Sequence, residues 1–292
     1  MALLGVETGG TKILARVIGD GGAVLGEGRW PTTTPDAAAE AILGCVAEAG
    51  AAITAAGMAA FGPLIVHPDA PDYGRMLDTP KPGWTDSNLR ATLAERLGCP
   101  VAVDTDVNVA AIAEQALGAG RGFASVAYVT VGTGIGGGLA IEGHALSGAL
   151  HSEVGHIRLA RSPGDTAPSG CPFHDNCAEG LVAGPALHHR LGDAATLADA
   201  PALVPLVAHY LGQLMATLVL AWSPHRIVLG GGVMSNEGLV GAIAVEMRAA
   251  LGGYGVGPRA EAADFLVHAA LENAGLEGAL LMARKLAADA RG

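Results

Sequence analysis

The sequence predicts an α/β protein built twice over, and three observations predict it. Short apolar runs alternate with helical patterns in both halves, a strand-turn-strand opening recurs near residues 3 and 125, and the composition is that of small-residue packing with many tight turns. Half of the 292 residues are hydrophobic but only 4% are aromatic, and 44 are glycine. A chain of this length exceeds most single cores, so two lobes are expected.

In order along the chain, runs at 3–7, 12–18 and 24–30 read as three successive strands joined by glycine turns, followed by a helix over 36–50. A strand at 58–61, a helix at 88–97, a strand at 101–104 and a helix at 107–117 complete the first half. The second half opens alike, with paired strands at 125–131 and 138–142 and a third at 157–160, then helices and strands at 226–229 and 265–269. Residues 204–222 approach membrane-span length, yet His209, Tyr210, Gln213 and Thr217 interrupt them and no basic cluster flanks them. A buried helix is the expectation. With the run interrupted, no membrane partner is expected; the duplicated pattern implies two similar lobes with a cleft between them.

Charge narrows the function. Lys plus Arg number 17 against 28 Asp plus Glu, a formal charge of -11, and no basic run could neutralise a row of phosphates, so nucleic acid is not expected. The opening residues lack the basic region and cleavage site of an export signal, which points to the cytoplasm.

Three glycine loops follow strands. GTGIGG at 132–137 fits the dinucleotide pattern, but the next segment alternates like a strand where a helix is required, so a nicotinamide site is excluded. GVETGGTK at 5–12 is close to a P-loop without being one; still, Gly9 and Gly10 can turn amides toward an anion while Thr11 and Lys12 add a hydroxyl and a cation. An isolated Gly-Gly is ordinarily a plain hairpin turn. The third loop, Gly230, Gly231, Gly232, Val233 and Met234, leaves room for a flat ligand, and the three together point to a nucleotide.

Asp106 stands where a strand gives way to a helix. It is either the helix cap or a carboxylate able to take a proton from a sugar hydroxyl, with Asn108 beside it for a polyol. Farther on, His156, Cys171, His174 and Cys177 form two imidazoles and two thiols in a C-x2-H-x2-C pattern with one distant histidine. They suit tetrahedral zinc in a closed, structural site; the alternative is a disulfide between the cysteines, disfavoured in a reducing compartment. Glu153 and Glu179 lie close to these ligands, against a bland reading as solvated surface charge.

Taken together, ETGGTK (7–12), FGP (61–63), TPKPGW (79–84), TDVN (105–108), GTGIG (132–136), HSEVGH (151–156), CPFHDNC (171–177) and GGGVM (230–234) resemble the ROK family of repressors, open reading frames and sugar kinases. Within it they resemble the zinc-containing bacterial fructokinases. The resemblance covers essentially the whole chain. It implies an actin-like (ribonuclease H-like) duplicated fold, with a lobe at 1–117, a larger zinc-bearing lobe at 118–275, and a C-terminal helix at about 276–292 packing back on the first. It further implies phosphoryl transfer from ATP with Mg²⁺ to a hexose, most simply fructose to fructose 6-phosphate, by a homodimer.

By the same likeness Asp106 matches the catalytic base, and Glu153, His156 and Glu179 match sugar-binding residues, with Gly62, Pro63, Thr105 and Asn108 on the substrate side. Gly10, Thr11 and Lys12 match the phosphate turn, while Thr133, Gly134, Pro185 and the loop from Gly230 to Met234 match positions near ATP. His156 belongs to both the metal set and the sugar motif, so zinc is expected to hold a wall of the sugar pocket and to take no part in the transfer. Glu7 replaces an Asp common among relatives, a longer acid whose reach toward Mg²⁺ differs. Thr105 replaces an Asn of glucokinase-type members and the metal motif is less Cys-rich than theirs, which favours fructose over glucose; a kinase of another hexose, mannose, glucose or an N-acetylated hexose, is the close rival. A repressor of this family would need a helix-turn-helix before the first turn, where only seven residues stand. A sugar sensor without activity is expected to have lost the base.

Overall fold

The computed structural model describes residues 2–192, 194 and 196–290, and the chain forms two compact units. One comprises residues 1–113, 145–151 and 271–292; the other comprises 114–144 and 152–270. The expected boundary at 117/118 therefore falls a few residues past the first crossing. It also misses the short return of 145–151 to the first unit.

The first unit contains β1 (Ala2–Thr8), β2 (Lys12–Ile18), β3 (Val24–Pro31), α1 (Pro35–Ala49), β4 (Ile53–Ala60), α2 (Leu89–Leu97), β5 (Val101–Thr105) and most of α3 (Asp106–Ala116). Next come β6 (Ser125–Val131), β7 (Ile135–Ile141), β8 (His144–Ala145), α4 (Ala178–Val182), α5 (Gly184–Leu191), α6 (Val204–Trp222), β9 (Arg226–Gly230), α7 (Leu239–Leu251) and β10 (Leu266–His268). The C-terminal α8 (Ala274–Asp289) returns to the first unit.

The two sheets have one topology. Their orders are β3-β2-β1-β4-β5 and β8-β7-β6-β9-β10. In each, the opening strand pairs antiparallel with its successor and parallel with a strand that arrives after a crossover, as β1 does with β2 and β4, and β6 with β7 and β9. This repeat is the duplicated actin-like fold the resemblance implies.

Local chemistry sets the boundaries. Thr34 caps α1 by accepting the Ala37 N–H at 3.3 Å, and Gly50 ends it in the left-handed region at φ 63°. Against β1 and β4 lies α8, approaching so closely that a Cβ at Gly57 would stand 2.0 Å from the Ala279 carbonyl. The small-residue composition serves this contact: Leu4, Val6, Ala56 and Ala279 are all fully buried. In the second unit, α6 is the core helix its sequence suggests, with Val207, Leu211, Leu214, Met215 and Leu218 buried and α7 packed alongside.

Three elements differ from expectation. The strand at 58–61 begins at Ile53, because its alanine-rich start shows no alternation to read. The strand expected from 138 begins at Ile135, directly after the glycine turn. No strand forms at 157–160, where only Arg158 bridges to Cys177; Leu159 donates its N–H to Asn176 and Ile157 accepts from Ala178, so the segment pairs with the end of the cysteine loop. The third place in that half of the sheet goes to β8.

Candidate active site and metal centre

At the end of β5 the chain turns into α3. Thr105 is buried and its hydroxyl accepts the Asn108 N–H at 3.2 Å, so Thr105 serves as the cap and Asp106 is the first helical residue. Asp106 Oδ1 meets the next amide, Val107, at 2.9 Å. Asn108, expected to be offered to a polyol, is 1% exposed, and its side-chain amide donates to Asp104 at 2.8 Å. Its place is in the support of the corner. Burial pushes the Asp104 carboxyl up, opposed by hydrogen bonds from Asn108 and the Thr105 amide and by nearby His151.

His151 and Asp104 are functional candidates that motif reading passed over. The buried His151 ring accepts the Leu64 N–H on Nε2 at 3.2 Å, which makes Nδ1 the protonated nitrogen of the neutral ring. The ring also lies against Gly62, where the Gly62–Pro63 bond is cis. Gly62 and Pro63 are thus fixed from the 145–151 return.

The β1–β2 turn carries Gly9, Gly10, Thr11 and Lys12. Thr32, directly after β3, holds it, its hydroxyl donating to the Gly9 carbonyl at 2.7 Å and its N–H to the Thr11 carbonyl at 3.0 Å. At the foot of the turn, burial pushes the Glu7 carboxyl up while Lys12 and the Leu276 amide pull it down. Glu7 Oε2 accepts that amide at 3.0 Å, at the start of α8, which is what the longer acid reaches.

In the second unit the four metal candidates come together. One donor atom from each of His156, Cys171, His174 and Cys177 lies within 4.8 Å of the others, and both cysteines are free thiols. Cys171 Sγ stands 3.7 Å from His156 Nδ1 and 3.9 Å from His174 Nδ1, and Cys177 Sγ stands 3.9 Å from His156 Nδ1. Bonds of about 2.3 Å to sulfur and 2.0 Å to nitrogen at tetrahedral angles would set such donors about 3.5–3.8 Å apart, so the set fits one tetrahedral ion. Burial pushes the Cys177 thiol up to about 11, a cost that a cation between the thiols removes. Because His156 turns Nδ1 to the cluster, its Nε2 points the other way.

A buried ion pair anchors the loop that carries these ligands. Arg190 grips Asp165 in a fork at 2.8 and 2.9 Å, and Tyr210 donates to the same carboxylate at 2.5 Å. Arg190, then Tyr210, holds the Asp165 carboxyl well below the usual carboxylate range.

Just past Cys177, Glu179 reaches the second glycine turn. Its Oε2 accepts the Ile135 N–H at 3.0 Å and stands 2.6 Å from where a Cβ at Gly134 would lie. On the other side Gly184, next to Pro185, donates to the Gly132 carbonyl at 2.7 Å and lies against Thr133. A cavity of about 440 Å³ opens next to this contact, lined by Gly184, Leu187, His188, Leu197, Gly232 and Val233 among others. Of the residues expected near ATP, Gly232 and Val233 line it, whereas Thr133, Gly134, Pro185, Gly230, Gly231 and Met234 do not. Met234 is 2% exposed within the core, and Gly230 ends β9 under the Tyr128 ring.

The sequence profile of the ROK family matches residues 3–286. The chain belongs to the ROK family. A fructokinase of Pediococcus pentosaceus is 38% identical over 288 residues, which cover 97% of this chain and 98% of the relative. The crystal structure of a ROK hexokinase from Thermus thermophilus superposes with a TM-score of 0.77 at 34% identity, over 99% of this chain and all of that one. A ROK glucokinase from Streptomyces griseus, in complex with glucose and AMPPNP, gives 0.74 at 28% identity over 98% of this chain and all of that one.

Within this ROK chain the structure gathers Thr133, Gly134, Glu179 and Pro185 around one turn, and Gly62, Pro63, Thr105, Asp106 and Asn108 around one corner with its neighbours. Glu153, exposed, precedes the short turn that carries His156. Of the residues overlooked in sequence, His151 and Asp165 act through partners 87 and 25 positions away, a signal no local motif carries, while Asp104 meets Asn108 four positions on.

Proposed function

We propose that this ROK protein is an ATP-dependent hexose kinase acting on fructose, with fructose 6-phosphate as product. End-to-end likeness to a fructokinase supports the substrate, and one structural observation carries the mechanism: Thr105 serves as the cap of α3, so Asp106 stands as its first residue at the strand-to-helix corner. In this reading the Asp106 carboxylate takes the proton of the fructose 6-hydroxyl as that oxygen attacks the γ-phosphorus, and the bond to the ADP oxygen breaks.

Asp104 and Asn108 hold the corner, and Gly62 and Pro63 carry the adjoining sugar contacts under the hold of His151. Glu153 and His156 Nε2 bind sugar hydroxyls, and Glu179 sets the turn of Thr133 and Gly134, which faces the phosphates. The cavity beside Gly184 and Gly232 takes the nucleotide base, while Gly10, Thr11 and Lys12 take the phosphates. Magnesium supplies charge neutralisation on the phosphates, and the second carboxyl oxygen of Glu7 is the group of the turn that would take it or its water. Zinc is the ion assigned to His156, Cys171, His174 and Cys177, where it fixes His156 and stays outside the transfer. Dimerisation and cytoplasmic residence belong to the same proposal on family likeness, and light scattering tests the first.

An ADP-release assay over fructose, mannose, glucose and N-acetylated hexoses tests the function. The highest kcat/KM is expected with fructose. Greater efficiency on glucose or mannose would replace the substrate, and no turnover on any hexose would end the kinase reading.

A further inference from the structure

The chain uses arginine almost everywhere a cation is needed: of its 17 Lys and Arg residues, only Lys12, Lys81 and Lys285 are lysines. Lys12 closes the phosphate turn. Lys81, 71 positions away in sequence, donates its Nζ to the Gly10 carbonyl in the middle of that turn. Two of three lysines therefore meet at one four-residue turn.

The hydrogen bonding gives the turn a direction. Carbonyls at Gly9, Gly10, Thr11 and Lys12 each accept a bond, from Thr32, Lys81, Thr32 and the Gly9 amide respectively. Among the described residues the Gly10 and Thr11 amides have no partner. With its acceptors tied back and two amides left over, the turn presents positive polarity, the arrangement that receives an anion. Lys81 adds a full charge to it.

The loop that brings Lys81 there is firmly seated. Pro80 and Pro82 flank Lys81 and restrict its backbone. Trp84, 1% exposed, donates Nε1 to the Thr33 carbonyl at 2.7 Å and meets Phe61 edge-on at 4.9 Å. The lysine side chain is thus a flexible arm on a fixed base. As a mere staple it would be weak, since a partly exposed contact of this kind contributes little to stability and arginine would serve as well. A compact ammonium with three donors suits the terminal oxygens of a phosphate while keeping one bond to Gly10.

We propose that Lys81 is a further catalytic residue of this kinase, which binds the γ-phosphoryl group from the Gly10 turn and stabilises its charge during transfer. This rests on the kinase reading. Lys81 stays protonated throughout: the hydroxyl proton goes to Asp106, the phosphoryl group moves to the sugar oxygen, and ADP leaves with the electrons of the broken bond.

The test compares wild type, Lys81→Met and Lys81→Arg in steady-state kinetics, in calorimetric binding of ADP, AMPPNP and fructose, and in melting. For Lys81→Met, kcat/KM for ATP should fall about 10²–10³-fold, on the scale of one lost transition-state donor. Its AMPPNP affinity should fall toward that for ADP, while ADP and fructose binding and the melting temperature stay near wild type. Lys81→Arg should recover part of the loss. Kinetics within threefold of wild type would overturn the proposal, and so would equal losses for ADP and AMPPNP with a lowered melting temperature, the mark of a structural staple. The binding contrast does not need turnover. A wild type that binds AMPPNP but phosphorylates no hexose ends the kinase reading and leaves Lys81 supported by the contrast; one that binds neither nucleotide ends both.

Discussion

Both units place a glycine turn between the first two strands of the same sheet order, yet they hold it by opposite means. In the first unit the turn is tied by its carbonyls, to Thr32 and Lys81, with Lys12 at its end. In the second the turn is braced from outside, by the Glu179 carboxylate on Ile135 and by the start of α5 on Gly132. Glu179 follows Cys177 by two residues, so that brace leads straight back to the metal cluster. On the function proposed above, the duplicated frame divides its labour: the first copy carries charge for chemistry, and the second a scaffold that a metal would staple.

If that division holds, disturbing the second unit should show first in stability. Metal removal should stand among the largest effects. A structural ion present at 1,000 times its dissociation constant contributes about 4 kcal/mol, worth about 8–16 °C in a unit of this size. Chelation followed by calorimetry should show such a fall, with fructose affinity lost alongside, and a pocket indifferent to chelation would break the comparison.

Next comes Asp165→Asn, which leaves the Arg190 charge buried and should cost about 3–5 kcal/mol in denaturant unfolding at pH 7. The folded carboxyl titrates below its unfolded value of about 3.9, so the stabilisation is present above that pH and is lost as pH falls toward the folded value. The gap between wild type and variant should therefore narrow only below about pH 4.

Gly134→Ala would push a methyl into Glu179 and should cost about 1–3 kcal/mol. Combined with Glu179→Ala the loss should be less than additive. Additive losses would show that the brace is not the contact described. Smallest is Thr105→Ala in the first unit, about 1 kcal/mol for a lost cap, read by thermal melting.

Sequence periodicity sufficed for the repeat, because both sheets are built from short apolar runs whose turns carry glycine. The metal set was equally legible: three of its ligands fall within seven residues, and thiol and imidazole chemistry admits few readings. What stayed hidden lay in side-chain partners and in packing. Asn108 looked like a ligand until the Asp104 carboxylate claimed its amide, and Met234 looked like part of a nucleotide loop until packing placed it in the core. The segment 157–160 has strand composition, but its partner is the cysteine loop, which periodicity does not reveal.

The division of labour is tested most directly by Asp106→Asn, assayed for turnover, fructose binding, metal content and melting on the same preparation. The account predicts a fall in kcat of about 10²–10⁴-fold for loss of the base, with fructose affinity, bound zinc and melting temperature within error of wild type. Near-normal turnover, or a loss of activity accompanied by a loss of metal or of sugar binding, would contradict it.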